Sequence, residues 1–183
     1  MRCRIQVEVG YQLQSGGRLV ESQRLRVLVP LDGSASAERA LQWVKDLARI
    51  TPMELILFRV VLPPRAAVLL APMVEPATDS GCDRRLLSEE YLRSLTVDLR
   101  ENGVETGYET RNADSLDEPI AELRAHFTRE VGDIILARAS EGDIDLVIMA
   151  SHGMTGQANV KWGSVTQYLL SHIKKPILMV PVR

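Results

Sequence analysis

The segment from Asp145 to Thr166, DLVIMA followed by SHGMTGQANVKWG and SVT, constrains this chain more than any other stretch. Its run Leu146-Val147-Ile148-Met149 is continuously apolar. That pattern suits a strand covered on both faces of a parallel sheet rather than a half-exposed one. A glycine-bearing loop follows and delivers the chain into a helix start at Gly163-Ser164-Val165-Thr166. Glycines allow positive φ and close approach of a ligand to the main chain. Ser164 is expected to be the helix N-cap, and with Thr166 it offers hydroxyls beside N–H groups that a helix leaves unpaired. Such a strand, loop and helix start is one way an α/β protein holds a phosphate. The plainer reading is a glycine turn at Gly153 and Gly156 and an ordinary cap at Ser164.

Ahead of this segment the chain alternates strands and helices. Arg26 to Leu31 reads as a first core strand, closed by Asp32-Gly33-Ser34. A helix follows in which Ala37, Ala40, Leu41, Val44, Leu47 and Ala48 recur at helical spacing, with Ser34 as its cap and Trp43 packed beside the stripe. Thr51-Pro52 stops that helix, and Glu54 to Val61 gives a second strand. A strand, helix and strand joined by short links make the right-handed crossover of a parallel sheet. Pro63 to Ser80 is proline-rich and aperiodic, so it is expected as a loop. Arg84 to Glu101 turns helical with Leu87, Tyr91, Leu95 and Leu99 in register, and Val104 to Thr110 is a third, more polar strand.

Leu116, Ile120, Leu123 and Phe127 fit an inserted helix carrying His126 as a surface residue, a β-arm being the alternative. Ile134 to Ala139 reads as a separate helix before the fourth strand. The last helix turns Val165, Tyr168 and Leu169 inward, and Ile177 to Val180 is the final strand. Residues 3 to 13 alternate polar and apolar, and Ser15-Gly16-Gly17 turns the chain back, which predicts an N-terminal β-hairpin added to a single domain over 25–183. The fold expected is an open five-stranded parallel sheet with helices on both faces.

Open sheets of this kind bind ligands outside the carboxyl ends of their strands, where the winding reverses. If the fourth strand lies next to the first, Asp32 and the 150–166 loop face each other across that crevice. Asp32 then holds an adenine or ribose edge while the loop takes phosphates, unless it is only the turn residue of Asp-Gly-Ser.

Charge argues against other partners. Twenty-two basic and 24 acidic residues give a formal net charge of −2, with no general pull toward nucleic acid or an anionic membrane. No apolar run approaches the length of a membrane span, and the first residues carry charges where a signal peptide needs an apolar core, so a cytoplasmic protein is expected. Cys3 and Cys82 lie far apart without metal-binding spacing.

Arg26 to Ala48, RVLVPLDGSASAERALQWVKDLA, resembles the opening strand and helix of the universal stress protein family, and Asp145 to Val180 resembles its closing half. LILFRVV belongs to the resemblance; residues 1–24, the proline loop and the segment 111–128 do not. ATP-binding members carry Gly-x2-Gly-x9-Gly-Ser/Thr, which falls here on Ala150, Gly153, Gly163 and Ser164.

The resemblance implies a Rossmann-like fold of the adenine-nucleotide α-hydrolase type that binds ATP, with any Mg2+ held by the phosphates. Pro30, Leu31 and Asp32 would line the adenine and ribose end with Val60 beside them, and Met149 and Ala150 would flank the nucleoside. Gly153, Gly163, Ser164, Val165 and Thr166 would cradle the phosphates, with His152 and Gly156 in the same loop. It further implies a homodimer through 177–182. Two positions depart from the pattern: Ala150 replaces the first glycine, and Arg59 stands where many members have histidine. A Cβ at Ala150 is tolerable unless φ is positive.

No set of residues reads as a catalytic base for phosphoryl transfer, and no phosphate-loop lysine motif is present. A binding protein in the stress response, at most a slow hydrolase, is therefore expected. A nucleotide-free dimeric module is the alternative, and an α-hydrolase-like enzyme the least favoured reading.

Overall fold

The computed structural model describes residues 24–64, 81–114, 120–153 and 162–182. The expected N-terminal hairpin, most of the proline loop, and the loop residues around Gly156 lie outside these residues. Strand β1 (Leu25–Pro30) leads through Asp32 and Gly33 to helix α1 (Ala35–Ala48), and β2 is Met53–Val61. Then come α2 (Gly81–Glu101), β3 (Glu105–Asn112), α3 (Ile120–Ser140), β4 (Leu146–Ala150), α4 (Ser164–His172) and β5 (Ile177–Val180).

All pairings are parallel, in the order β3-β2-β1-β4-β5. The chain winds outward from β1 to β3, returns through α3 to the other side of β1, and continues outward to β5. The reversal lies between β1 and β4, where Val27 is level with Leu146. Both faces of the central strands are covered, which is why their sequences are apolar without alternation. Val27, Val29, Leu55, Leu57 and Ile148 pack with Ala40, Leu41 and Val44 of α1 and Leu92 and Leu99 of α2. On the opposite face Leu28, Ile56, Phe58, Val147 and Met149 pack with Ile135 and Ala139 of α3 and Leu169 of α4.

Several expectations need correction. The inserted helix and the separate helix at Ile134 are one element: α3 runs unbroken from Ile120 to Ser140 and is the crossover between β3 and β4. One side of it packs first with Leu62 and Ala113 through Phe127 and then under the sheet centre through Ile135 and Ala139, with Val131 and Ile134 against both clusters. In α2 the buried row is Arg84, Ser88, Leu92, Thr96 and Leu99, whereas Leu87 is exposed. Polar members hid this row; Thr96, for example, donates its hydroxyl to the Leu92 carbonyl at 2.8 Å. Trp43 is 52% exposed rather than packed. His126 is partly buried, 3.7 Å from Glu130 and edge-on to Phe127.

At the pole opposite the carboxyl ends of β1 and β4, charges knit the sheet to α3. Arg138, almost wholly buried, donates to Glu109 at 2.8 and 3.0 Å and to Asp143 at 2.9 and 3.1 Å. Arg26 bridges Asp143 and Glu54 at 2.8 and 3.1 Å. Burying Arg138 is tolerable because carboxylates satisfy its fork on both sides.

Candidate functional site

Because β4 pairs directly with β1, the turn after β1 and the loop after β4 leave the sheet side by side. Leu31 stays in line with the sheet, donating its N–H to the Phe58 carbonyl at 2.8 Å. Asp32 then turns the chain: its Oδ1 accepts the Ser34 N–H at 3.0 Å and the Ser34 hydroxyl at 2.6 Å. The Ser34 hydroxyl oxygen accepts the Ala37 N–H at 3.1 Å, so Ser34 caps α1 as expected. Gly33 lies at φ +85°, a conformation that disfavours any side chain. The turn reading of Asp32 is thus correct for one oxygen. The other oxygen lies against Gly153, where an added Cβ would collide with it.

This contact gives Gly153 its reason. Neither Gly153 nor Gly163 has positive φ; among the described residues only Gly33 and Gly103 do. Close approach, not backbone freedom, demands a glycine at 153. No described non-glycine residue has positive φ, so Ala150 accepts its Cβ without strain.

Beyond Gly153 the chain is described again from Trp162. Gly163 donates its N–H to the Ser151 carbonyl at 2.9 Å, which brings the far end of the loop back to the tip of β4. Gly163, rather than Ser164, is the N-cap of α4: its carbonyl accepts the Gln167 N–H at 2.8 Å, and no side chain caps the helix. Ser164, Val165 and Thr166 form the first turn, whose N–H groups lack intrahelical partners and carry the positive end of the helix dipole. Thr166 is buried and turns its hydroxyl to the Ala150 carbonyl at 3.4 Å, while Ser164 is exposed.

The other expected residues take different places. Pro30 ends β1 opposite Phe58 of β2. Val60 is in β2, partly buried against the cluster of Leu62, Ala113 and Phe127. The Met149 side chain belongs to the core with Leu28 and Leu169, so Met149 can meet a ligand only through its backbone. His152 follows the buried Ser151, whose hydroxyl oxygen accepts the Val182 N–H at 3.0 Å and lies 3.2 Å from His152 Nδ1.

Thr128 escaped sequence reasoning. Thr128 of α3 donates its hydroxyl to Ser164 Oγ at 3.3 Å. It gets there because Gly132, one turn later, lets the Tyr168 ring lie where a Cβ would be, so α3 and α4 approach closely. Only recognition of α3 as one helix would have exposed that glycine. Arg59, a departure from the family pattern in the sequence, is placed only by the fold. Its guanidinium is buried and lies over the Tyr91 ring, with Cζ 5.0 Å from the ring centroid. Burial lowers its pKa, while Tyr91 and Asp32 act to raise it. Tyr91 in turn is raised above its ordinary value, first by burial and then by Glu38, which accepts its hydroxyl at 2.9 Å.

The model of the universal stress protein family matches residues 24–181. The chain belongs to the universal stress protein family. Universal stress protein MJ0577 of Methanocaldococcus jannaschii is 24% identical over 173 residues, covering 85% of this chain and 93% of its own. The solved structure of MJ0577 superposes with a TM-score of 0.63 at 22% identity, over 86% of this chain and 96% of that one. A universal stress protein solved with cAMP gives a TM-score of 0.55 at 18% identity, over 87% and 98% of the two chains. An Arabidopsis thaliana family member with AMP bound gives 0.55 at 12% identity, over 87% and 92%. These likenesses establish the fold; the site is read from this chain's own residues.

Proposed function

We propose that this universal stress protein binds an adenine nucleotide, ATP first among them, in the crevice between the Asp32 turn and the Gly163 helix start. The observation that carries the reading is the meeting of Asp32 with Gly153 at the β1–β4 reversal. It sets a carboxylate that can accept from ribose hydroxyls on the same side of the sheet as a helix start that suits phosphates. Two relatives of the same fold are solved with cAMP and with AMP, which supports the adenosine class of ligand.

Pro30, Leu31, Asp32 and Val60 serve the adenosine end with the backbone of Met149 and Ala150. His152, Gly153, Gly156, Gly163, Ser164, Val165 and Thr166 serve the phosphates. Any Mg2+ enters as the companion of the triphosphate, held by its oxygens. The output we infer is binding, with slow hydrolysis at most. Pairing of two copies through β5 completes the proposal, since Ile177 to Val180 is an apolar strand at the sheet edge.

Titration of ATP, ADP and AMP against the purified protein tests this reading. Saturable binding below the millimolar range is expected for wild type, with Gly153→Val abolishing it by displacing Asp32. Ser164→Ala should weaken it by about tenfold or more, the worth of one hydrogen bond to a charged group. If wild type fails to saturate, the nucleotide-free dimeric module takes its place.

A further inference from the structure

Arg59 is the feature of this crevice that the nucleotide reading leaves unused. It leaves β2 on the face covered by α1 and α2, and is 5% exposed. Its guanidinium is enclosed from two sides. On one lies the Tyr91 ring of α2, at 5.0 Å from Cζ. On the other lies Gly33, where an added Cβ would stand 2.9 Å from Nη1, 3.1 Å from Nη2 and 3.2 Å from Cζ. The plane of the fork is thus laid against the backbone of the turn that carries Asp32. Asp32 acts on Arg59 as an attracting charge, and Arg84 of α2 as a second cation within reach. Glu38, in the first turn of α1, holds the Tyr91 hydroxyl at 2.9 Å and so fixes the ring.

A buried cation is retained only where dipoles and opposite charges repay its lost hydration. Here the aromatic face and Asp32 do so. An aspartate at the mouth of a phosphate site has the opposite difficulty, because its negative charge opposes an anionic ligand. Resting on the nucleotide-binding reading above, we propose that Arg59 is a positioning residue for the site. Clamped between Tyr91 and Gly33, it holds the Asp32–Ser34 turn in its ligand-ready shape and offsets the Asp32 charge that a nucleotide would otherwise meet.

Two measurements on the full chain decide this, one of them free of ligand. Amide exchange at Gly33 and Ser34, followed by NMR, reports the turn, because the Ser34 N–H is bonded to Asp32. Amides of Val27 to Val29 in the buried β1 report global stability. Arg59→Met should speed exchange in the turn by about tenfold or more relative to β1, and Arg59→Lys, which keeps the charge but not the flat fork, by less. ATP titration then closes a double-substitution cycle. Asp32→Asn should weaken ATP binding in wild type and strengthen it in Arg59→Met, where the unbalanced carboxylate repels the phosphates.

Exchange that rises equally in turn and strand, or an Asp32→Asn effect that is the same in both backgrounds, overturns the proposal. If Arg59→Met fails to fold, Arg59→Gln, which also removes the charge, carries both measurements with the same criteria. Should wild type bind no nucleotide, the nucleotide reading falls, while the exchange data still decide whether Arg59 positions the turn.

Discussion

Replacing Gly33 by alanine separates two costs that the structure assigns to one position. The backbone there lies at φ +85°. Holding an alanine in the left-handed region costs about 1–2 kcal/mol. Gly103, which follows α2 at φ +80°, supplies the control: nothing stands within 4 Å of where its Cβ would be. Gly103→Ala should therefore destabilise by the strain alone, about 1 kcal/mol. At Gly33 the new Cβ also meets the Arg59 guanidinium at 2.9 Å, closer than carbon and nitrogen tolerate. The guanidinium is the tip of a flexible side chain, yet Tyr91 backs it, so it yields at a further cost of about 1 kcal/mol, the low end of overpacking. Urea unfolding, with a slope near ~2 kcal/mol per molar, would place the Gly33→Ala midpoint about 1 M below wild type and Gly103→Ala about 0.5 M below. Arg59→Ala should remove the difference between the two glycine substitutions. Equal midpoints for the two in the native background would refute the packing of Arg59 against the turn.

Other outcomes follow from particular contacts. Gly153→Ala should retain the fold, judged by far-ultraviolet circular dichroism, while weakening ATP binding measured by calorimetry, since its Cβ invades the space of the Asp32 carboxylate. Phe127→Ala, at a side chain 1% exposed against Leu62 and Ala113, should cost about 3–5 kcal/mol by denaturant titration. Asp143 is held below its ordinary pKa of 3.8, chiefly by its hydrogen bond from Arg138. A depressed carboxylate contributes stability that is complete above the unfolded value and is lost as pH falls through the folded one. The urea midpoint should thus drop below pH 4, and less steeply in Arg138→Met. Pairing through β5 predicts a dimer mass in sedimentation equilibrium; a mass of 20.4 kDa at all concentrations would exclude it.

Legibility in the sequence followed the strength of local signals. β1, β2, β4 and β5 were readable because strands buried on both faces are apolar without alternation. α1 was readable because a single stripe and the Ser34 cap mark it. α2 and α3 are hard to read where burial is polar: the Arg84, Ser88 and Thr96 row looks like a solvent face, and the buried row of α3 includes Arg138. The N-cap of α4 was misplaced by one residue because a serine after glycine carries the stronger capping preference, while the hydrogen bond from Gly163 to Ser151 decides the start.

The sequence by itself determined the family and the parallel sheet, since both rest on residue types and spacings along short stretches. It left open whether Asp32 is a turn residue or a site residue. Tertiary structure decided the turn role for one oxygen and, through the pairing of β4 with β1, set the other against Gly153. It also decided where Arg59 lies. A guanidinium held between Gly33 and Tyr91 joins three segments far apart in sequence, and no periodicity along one strand encodes which neighbours the fold will supply.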